Sequence, residues 1–390
     1  MSKADELKVK EGKSESFLEN LGTKYFNHLS EKLKSDSTIH LENIPSDKVL
    51  QITANHVILN SVIIAFLVGA LTTVPIVLFE MLYRESMSTM DYYLSFALLT
   101  AGMLILEIGS LYWLGMKSVH TLAHLTGFED HKEEQTLPPE YDVTNIMVRT
   151  ALEIPDPAIE YLGINPQKYV SKRWLVFTAI LYKAKVVLSS IILKLVLRKI
   201  AARYGVRMGF IWIAIPVTAI WDAFVMYRVI KDAKLRLFGY QLSKFIINEV
   251  LSDEVLSSYP PHTREGAIRA ISTVMVLSDT YHPNNVILLI RLSQNLDIVD
   301  EKDYDDLHKF LNHLDEADIQ EKHFLRTLAG IAAVFDGVLN KKEKTALKMI
   351  FSHRYDEYIE MIEELRVLLT DGQLHKSAAL CREKLLEIQK

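Results

Sequence analysis

The chain has 390 residues, of which 49% are hydrophobic and 24% are charged, and its formal net charge is −5. A chain of this length holds two or three domains, and this balance argues against both a purely membrane-embedded transporter and an ordinary soluble enzyme. The single cysteine, Cys381, excludes an internal disulfide and a cysteine-cluster metal site. The patterns of phosphate loops, dinucleotide sites, nucleophile elbows and zincin helices are absent from the sequence. We therefore predict that the protein is not an enzyme.

Charge is distributed unevenly along the chain. Residues 171–246 carry 14 Lys and Arg and only two Asp, whereas residues 247–390 carry 17 basic and 25 acidic residues. A basic segment beside apolar helices favours contact with the anionic head groups of a membrane. The acidic last part of the chain argues against a nucleic-acid partner.

The N-terminal part is predicted to be a disordered tail followed by a helix. Residues 1–16 are charged and poor in apolar residues, which is typical of disorder. Residues 17–50 form an amphipathic segment, because apolar residues recur on one helical face, namely Phe17, Leu18, Leu21, Tyr25, Phe26, Leu29 and Leu33. This face predicts packing on the membrane or on a partner helix, and it allows a homo-oligomer. Ser46 or Asp47 is expected to cap the following helix.

Residues 51–117 are predicted to form a transmembrane hairpin. Two mostly apolar runs, residues 56–82 and 92–116, are each longer than the roughly 18 residues that identify a helix able to cross a ~30 Å hydrocarbon core. Ala65 and Gly69 form a small-xxx-small pair, which favours packing of the first helix against the second.

Charged residues near the hairpin predict its orientation and a site. Eight Lys precede residue 51 and Lys117 follows the second run, so the positive-inside rule predicts that both ends lie in the cytoplasm. Glu80 lies four residues from Arg84 and is expected at the interface. Glu107 lies deeper, and intramembrane carboxylates are costly and often functional. Glu107 is therefore a candidate for a role, with hydrogen-bonded packing as the alternative.

Residues 118–170 are predicted to be a linker with short helices, one of them near residues 142–152, because five prolines lie between residues 129 and 170. His120 and His124 are four residues apart and share a helical face, with His131 nearby. This spacing resembles a histidine metal pair, but no Glu lies between the two in the zincin pattern. An ordinary interfacial helix face is the favoured interpretation.

Residues 171–246 are predicted to form a basic pair of apolar helices, for which two interpretations stay open. In one, both helices span the membrane and Asp222 neutralises Lys183 or Lys185. In the other, the pair is shallow and its lysines extend to the head groups; this is favoured, because burying an unpaired ammonium is expensive. Membrane-surface contacts are expected from the basic link, which contains Arg198, Lys199, Arg203 and Arg207.

The last segment, residues 247–390, is predicted to be a cytoplasmic helical domain with a degenerate internal repeat. In both copies an apolar helix ends at an Asp, Asp279 in the first and Asp336 in the second, and a second helix follows a short turn. Gly337 suits a left-handed helix stop, and the pair Asn340 and Glu343 suits a capping box for the next helix.

The second copy, "IAAVFDGVLNKKEKTALKMI", resembles the TerB-like domain, an all-helical family associated with bacterial envelope and stress systems. The resemblance covers about residues 265–355. It implies a divalent metal bound by the acidic residues Asp336 and Glu343, with Asp279 as the equivalent in the first copy. A purely structural role, in which these residues stop one helix and start the next, is the favoured alternative.

These predictions combine into an all-α fold, in which a membrane-embedded helical region is followed by a soluble TerB-like domain. The leading hypothesis is a membrane-anchored adapter or stress-linked scaffold that binds a protein partner through its cytoplasmic domain. One alternative is a small transporter or channel component, whose polar path is lined by Glu107, Asp222, Lys183 and Lys185. The other is a sensor of divalent metal.

Overall fold

The computed structural model describes residues 17–32, 44–127, 143–154, 156, 161–164, 209–278, 282–298 and 302–387. Within these ranges every regular element is a helix, and the one β-bridge is an isolated pair between Tyr161 and Ile164. The predicted all-α class is therefore confirmed.

Thirteen α-helices lie in the described ranges. They are α1 (Phe17–Lys32), α2 (Asp47–Tyr83), α3 (Thr89–Leu125), α4 (Val143–Ala151), α5 (Gly209–Phe245), α6 (Asp253–Ser258), α7 (Pro261–Leu277), α8 (Pro283–Asn295), α9 (Leu307–Glu316), α10 (Ile319–Val334), α11 (Lys341–Phe351), α12 (Tyr355–Asp371) and α13 (Leu374–Leu386). A π-helical turn, Ile246–Val250, continues α5. The predicted hairpin, the short helix after residue 142 and the helix after residue 208 are all present.

The chain divides into two compact units. The apolar unit comprises Asn55–Val119 and Val170–Lys231, and the tail unit comprises Met1–Ala54, His120–Tyr169 and Asp232–Lys390. The tail unit is thus assembled from three separate stretches of chain, one of which begins at Asp232, within α5.

The apolar unit has the surface of a membrane protein. Three helices of the described chain are long and apolar enough to span a membrane, namely α2, α3 and the stretch Trp212–Val250. Large apolar side chains on these helices point outwards, which would be unfavourable in water but is favourable in lipid. Examples are Leu59, Leu67, Leu71, Leu82, Leu94, Leu98, Ile105, Leu106, Ile220 and Phe224.

The link of the hairpin is short and locally stabilised. The hydroxyl of Ser88 accepts a hydrogen bond from the amide of Asp91 at 3.3 Å, which caps the start of α3. Arg84 and Glu80 form the expected pair near this end of α2, with 3.3 Å between Nη1 and Oε1. Stacked rings of Phe79, Tyr92 and Phe96 hold the two helix ends together.

The core of the tail unit surrounds α10. Small residues let neighbouring helices approach this helix closely: a Cβ on Gly330 would come within 2.9 Å of Met361 in α12. A Cβ on Gly266 of α7 would likewise lie 3.0 Å from Leu325 of α10. The run "GIAAVF" at the end of α10 is completely buried. The small-residue pattern that suggested the TerB-like family therefore serves as close helix packing here.

The predicted turn between α10 and α11 is confirmed in detail. Gly337 has a φ of +74°, the left-handed conformation that favours glycine. Asn340 accepts a hydrogen bond from the amide of Glu343 at 2.9 Å, and Glu343 accepts one from the amide of Asn340 at 2.7 Å. Together these two bonds form a capping box.

His323 ties α10 to the last two helices. Its Nε2 lies 2.9 Å from the carbonyl oxygen of Lys384, and its Nδ1 lies 2.7 Å from the hydroxyl of Tyr358. Because a carbonyl can only accept, Nε2 carries the proton and Nδ1 accepts from the tyrosine. Burial lowers the pKa of His323, which favours this neutral form.

Candidate functional site

Two carboxylates of the apolar unit are buried, although those at the hairpin link are not. Glu107 of α3 and Asp222 of α5 are only 2% and 3% exposed, whereas Leu71 and Ile105 on the same helix set are 68% and 71% exposed. Such an inside-out distribution concentrates the polar chemistry of the unit between its helices. Carboxylates are expensive to hold in apolar surroundings, which makes this region the candidate site.

Glu107 is held by a hydroxyl of α2. Oγ1 of Thr72 lies 3.1 Å from Oε2 of Glu107 and 2.9 Å from the carbonyl oxygen of Val68. The single hydroxyl proton of Thr72 is therefore shared between the carboxylate and the backbone. This contact links α2 to α3 at the level of Thr72.

Asp222 lies against Gly69 of α2. A Cβ on Gly69 would clash with the carboxylate of Asp222 and would lie 3.0 Å from Cα of Ala219. The small face of α2 therefore contacts α5 at Gly69, whereas the sequence suggested packing against α3. The absence of a side chain at this glycine leaves room for the carboxylate, and the small-xxx-small spacing contains no information about which helix fills the gap.

Both carboxylates flank one turn of α2. Gly69 and Thr72 are three residues apart on that helix, so Asp222 and Glu107 reach it from two different helices within one turn, about 4.5 Å apart along its axis. Thr73 and Thr218 add two buried hydroxyls, at 2% and 1% exposure. The resulting set of donor atoms consists of oxygens only, which suits a proton or a hard cation.

Several predicted site residues lie outside the described ranges. They are Lys183, Lys185, Arg198, Lys199, Arg203, Arg207, Asp279 and His131. The predicted pairing of Asp222 with a lysine and the predicted membrane-surface role of the basic link stay predictions.

Asp336 and Glu343 occupy the turn between α10 and α11. Oδ1 of Asp336 accepts a hydrogen bond from the amide of Val338 at 2.9 Å, and burial raises the pKa of this carboxyl to about 6. Glu343 is 1% exposed and forms part of the capping box. The described residues contain no group of three or more His, Cys, Asp or Glu arranged to hold a metal ion. A site that includes Asp279 stays a prediction.

The predicted histidine pair is split between two environments. His120 is buried, and its ring meets that of Phe26 edge-on with 5.0 Å between centroids, whereas His124 is exposed. The edge-on ring contact gives His120 a packing role, and the interfacial helix face that the sequence favoured stays a prediction.

We also compared the chain with known proteins. No protein-family model, curated protein or solved structure matched it. The TerB-like resemblance accordingly stays a resemblance of the quoted residues, and function has to be argued from the geometry.

Sequence reasoning missed the polar contacts that join distant stretches of the tail unit. Asp47, one of the two residues expected to cap α2, accepts hydrogen bonds from the amides of His375 and Lys376 at 2.8 and 3.1 Å. Arg236 donates to Asp156 with two nitrogens, at 2.5 and 2.9 Å, and to Asp232 at 2.8 Å. Such long-range pairs cannot be predicted from a single sequence, because neither residue spacing nor composition indicates which distant residues will meet.

Proposed function

We propose that the protein is a membrane-anchored adapter of the bacterial inner membrane, whose tail unit binds a protein partner in the cytoplasm. The observation that carries the proposal is the assembly of the tail unit from three stretches, Met1–Ala54, His120–Tyr169 and Asp232–Lys390, that flank the two segments of the apolar unit. Four chain crossings connect the tail unit to the apolar unit, whereas a domain on a flexible tether has one. This arrangement suits a docking platform.

Aromatic and basic residues support the proposed orientation. At the end of α3 where the chain enters the tail unit, Lys117 lies 5.2 Å from the ring centroid of Trp113. At the corresponding end of α5, Lys231 lies 5.8 Å from the ring centroid of Tyr227. Aromatic rings mark membrane interfaces, and lysines mark the cytoplasmic one.

The length of α3 agrees with this placement. Tyr93 near the hairpin link and Trp113 are 20 residues apart, which in a helix corresponds to about 30 Å, the thickness of a hydrocarbon core. The link end has one Arg beside acids, "YRESMSTMD". It therefore suits the opposite, periplasmic side.

The proposal restricts how Val170–Lys231 crosses the membrane. Both flanks of this segment belong to the tail unit and lie on one side under the proposal. The segment therefore crosses an even number of times, so a complete crossing by α5 requires a second crossing elsewhere in the segment. No crossing at all corresponds to the shallow pair that the sequence favoured.

Site-specific photo-crosslinking in cells tests the adapter proposal. A photoreactive residue at Ile319 or Val338, which are 79% and 64% exposed in the tail unit, should give a discrete crosslinked protein. The same residue at Leu71 of the apolar unit is the matched control and should give none. If the two tail positions give no product beyond the control, and neither do other exposed tail positions, the adapter proposal is wrong.

A second candidate function is transport of a cation through the apolar helices. The observation that favours it is the meeting of Glu107 and Asp222 at one turn of α2. In proteoliposomes, Asp222→Asn should then abolish cation flux while the protein still folds. Equal flux through the wild type and this variant would exclude a transport role for the site.

A further inference from the structure

Among the described residues of the apolar unit, two threonines that lie between α2 and α5 have side-chain hydroxyls with no hydrogen-bond partner. They are Thr73 of α2 and Thr218 of α5, both buried. A helical threonine commonly donates to the carbonyl four residues earlier, as Thr72 does to Val68. Leaving such a group unsatisfied away from water costs free energy, so these two hydroxyls require an explanation.

Both hydroxyls are placed next to the contact between Gly69 and Asp222. Thr73 follows Gly69 by four residues and Thr218 precedes Asp222 by four, so each lies one helical turn from that contact and on the same helix face. The chain leaves the tail unit through α2 and returns to it through α5, so the two helices run in opposite directions. One turn forward on α2 and one turn back on α5 therefore lead to the same level.

From this placement we propose that Thr73, Thr218 and Asp222 bind a sodium ion between α2 and α5. Hydroxyl oxygens offer lone pairs, the carboxylate contributes negative charge, and the missing side chain of Gly69 lets that carboxylate approach α2. The carboxylate has two oxygens and several acceptor positions, so it can bind an ion beside its other contacts. A single carboxylate in the set matches a monovalent charge, and Glu107, held by Thr72 on the other side of the turn, adds a negative field.

A proton alone does not explain the same observations. Protonation of Asp222 would neutralise the carboxylate, but both threonine hydroxyls would keep their unused lone pairs. An ion that ligates all three oxygens engages the lone pairs of both hydroxyls and of the carboxylate together. The inference goes beyond the adapter proposal and holds whether or not the ion crosses the membrane.

The test uses the purified full-length protein in detergent. Thermal unfolding and the fluorescence of Trp221, next to Asp222 in sequence, are followed in NaCl, KCl and choline chloride at equal ionic strength. We expect the unfolding temperature to rise with sodium concentration and to saturate, as ligand linkage requires, with little response to potassium or choline.

Isosteric variants then locate the site. Thr73→Val with Thr218→Val should remove the sodium response while leaving the unfolding temperature in choline chloride unchanged or higher, because no buried hydroxyl is left unsatisfied. Ser118→Ala, which removes the 2.7 Å contact with Ser61 elsewhere in the unit, is the control and should keep the response.

Three results would overturn the proposal: equal unfolding temperatures in all salts, a sodium response that survives in the double valine variant, or a dependence on pH alone, which would indicate a proton site. Because no partner protein is needed, failure here is independent of failure of the adapter proposal. A sodium response without cation flux would separate binding from transport.

Discussion

The contact between Asp47 and α13 predicts a measurable stabilisation across the tail unit. The carboxylate accepts hydrogen bonds from the amides of His375 and Lys376 and lies 3.0 Å from Nδ1 of His375. Both amides belong to the first turn of α13, which has no partner for them within the helix. Asp47 thus acts as an N-cap supplied by a residue 328 positions away in sequence.

The expected magnitude follows from the number of bonds. An N-cap contributes about 0.5–2 kcal/mol, and hydrogen bonds to a charged group lie near the upper end of the usual range. We expect Asp47→Ala to cost about 2 kcal/mol and Asp47→Asn, which keeps one acceptor oxygen, about 1 kcal/mol. Each 1.4 kcal/mol is a factor of about ten in an opening equilibrium.

Native-state hydrogen exchange of the whole protein is the appropriate assay, because it reports on single amides. In Asp47→Ala, the amides of His375 and Lys376 should exchange roughly ten- to thirty-fold faster, as this free energy requires. Asp371→Asn is the control, since it removes an exposed carboxylate close to the same helix start without touching these amides. Unchanged protection in Asp47→Ala would refute the trans-capping argument.

Three further predictions concern titration and topology. Because burial lowers the pKa of His323, this histidine binds a proton more readily in the unfolded chain, and protons favour unfolding below about pH 6.5. The urea concentration at the midpoint of unfolding should therefore fall between pH 7 and pH 5, and it should fall less in His323→Phe. Because the pKa of Asp336 is raised to about 6, the contribution of this carboxyl to stability is present below about pH 4 and is lost by pH 7. Asp336→Asn should therefore stabilise the protein at pH 7 by about 1–2 kcal/mol, a figure discounted for the partial exposure of the side chain. A divalent metal that stabilises the wild type but not this variant would support the sensor hypothesis. Gly205→Cys should resist a membrane-impermeant thiol reagent in intact cells if the basic link is cytoplasmic, and it should react if the link is periplasmic. Burial raises the pKa of the native Cys381 thiol, so Cys381 should stay unreactive in both cases.

Local features of the fold could be predicted because their causes are local. The hairpin follows from two long apolar runs, and the stop at Gly337 with the capping box at Asn340 follows from residues within a few positions of one another. The choice of partner for a helix face is a long-range property. The sequence predicted close packing at Gly69 but not that α5 is the partner. It predicted that Ser46 or Asp47 would cap a helix but not that Asp47 binds the first turn of α13.

For the same reason, the sequence could predict the carboxylates of the candidate site but not that they meet at one turn of α2. Glu107 and Asp222 stand out as charges in apolar runs, and a single sequence shows that they are costly. That both reach one turn of α2 depends on how three helices pack. The sequence gives no reason to single out Thr72, Thr73 and Thr218, because threonine is common in membrane helices. Their role here depends on which residues lie next to them in the folded chain.

The assembly of the tail unit also predicts that residues 247–390 will not fold alone, although composition marked them as a domain. Phe238, outside that fragment, is 1% exposed, and its ring lies 3.2 Å from the Cβ position of Gly372. Leu235 covers Gly337 in the same way, at 2.8 Å. Losing one large buried side chain costs about 3–5 kcal/mol, and losing the cap from Asp47 adds to this.

Such losses together approach the whole stability of a typical domain, about 5–15 kcal/mol. We expect the fragment 247–390 to unfold without a cooperative transition in urea, as followed by circular dichroism, while the full-length protein shows one. Adding residues 232–246 should restore part of the transition, because these residues belong to the same core. A fragment 247–390 with the midpoint of the full-length protein would contradict the idea that the unit depends on all three of its stretches.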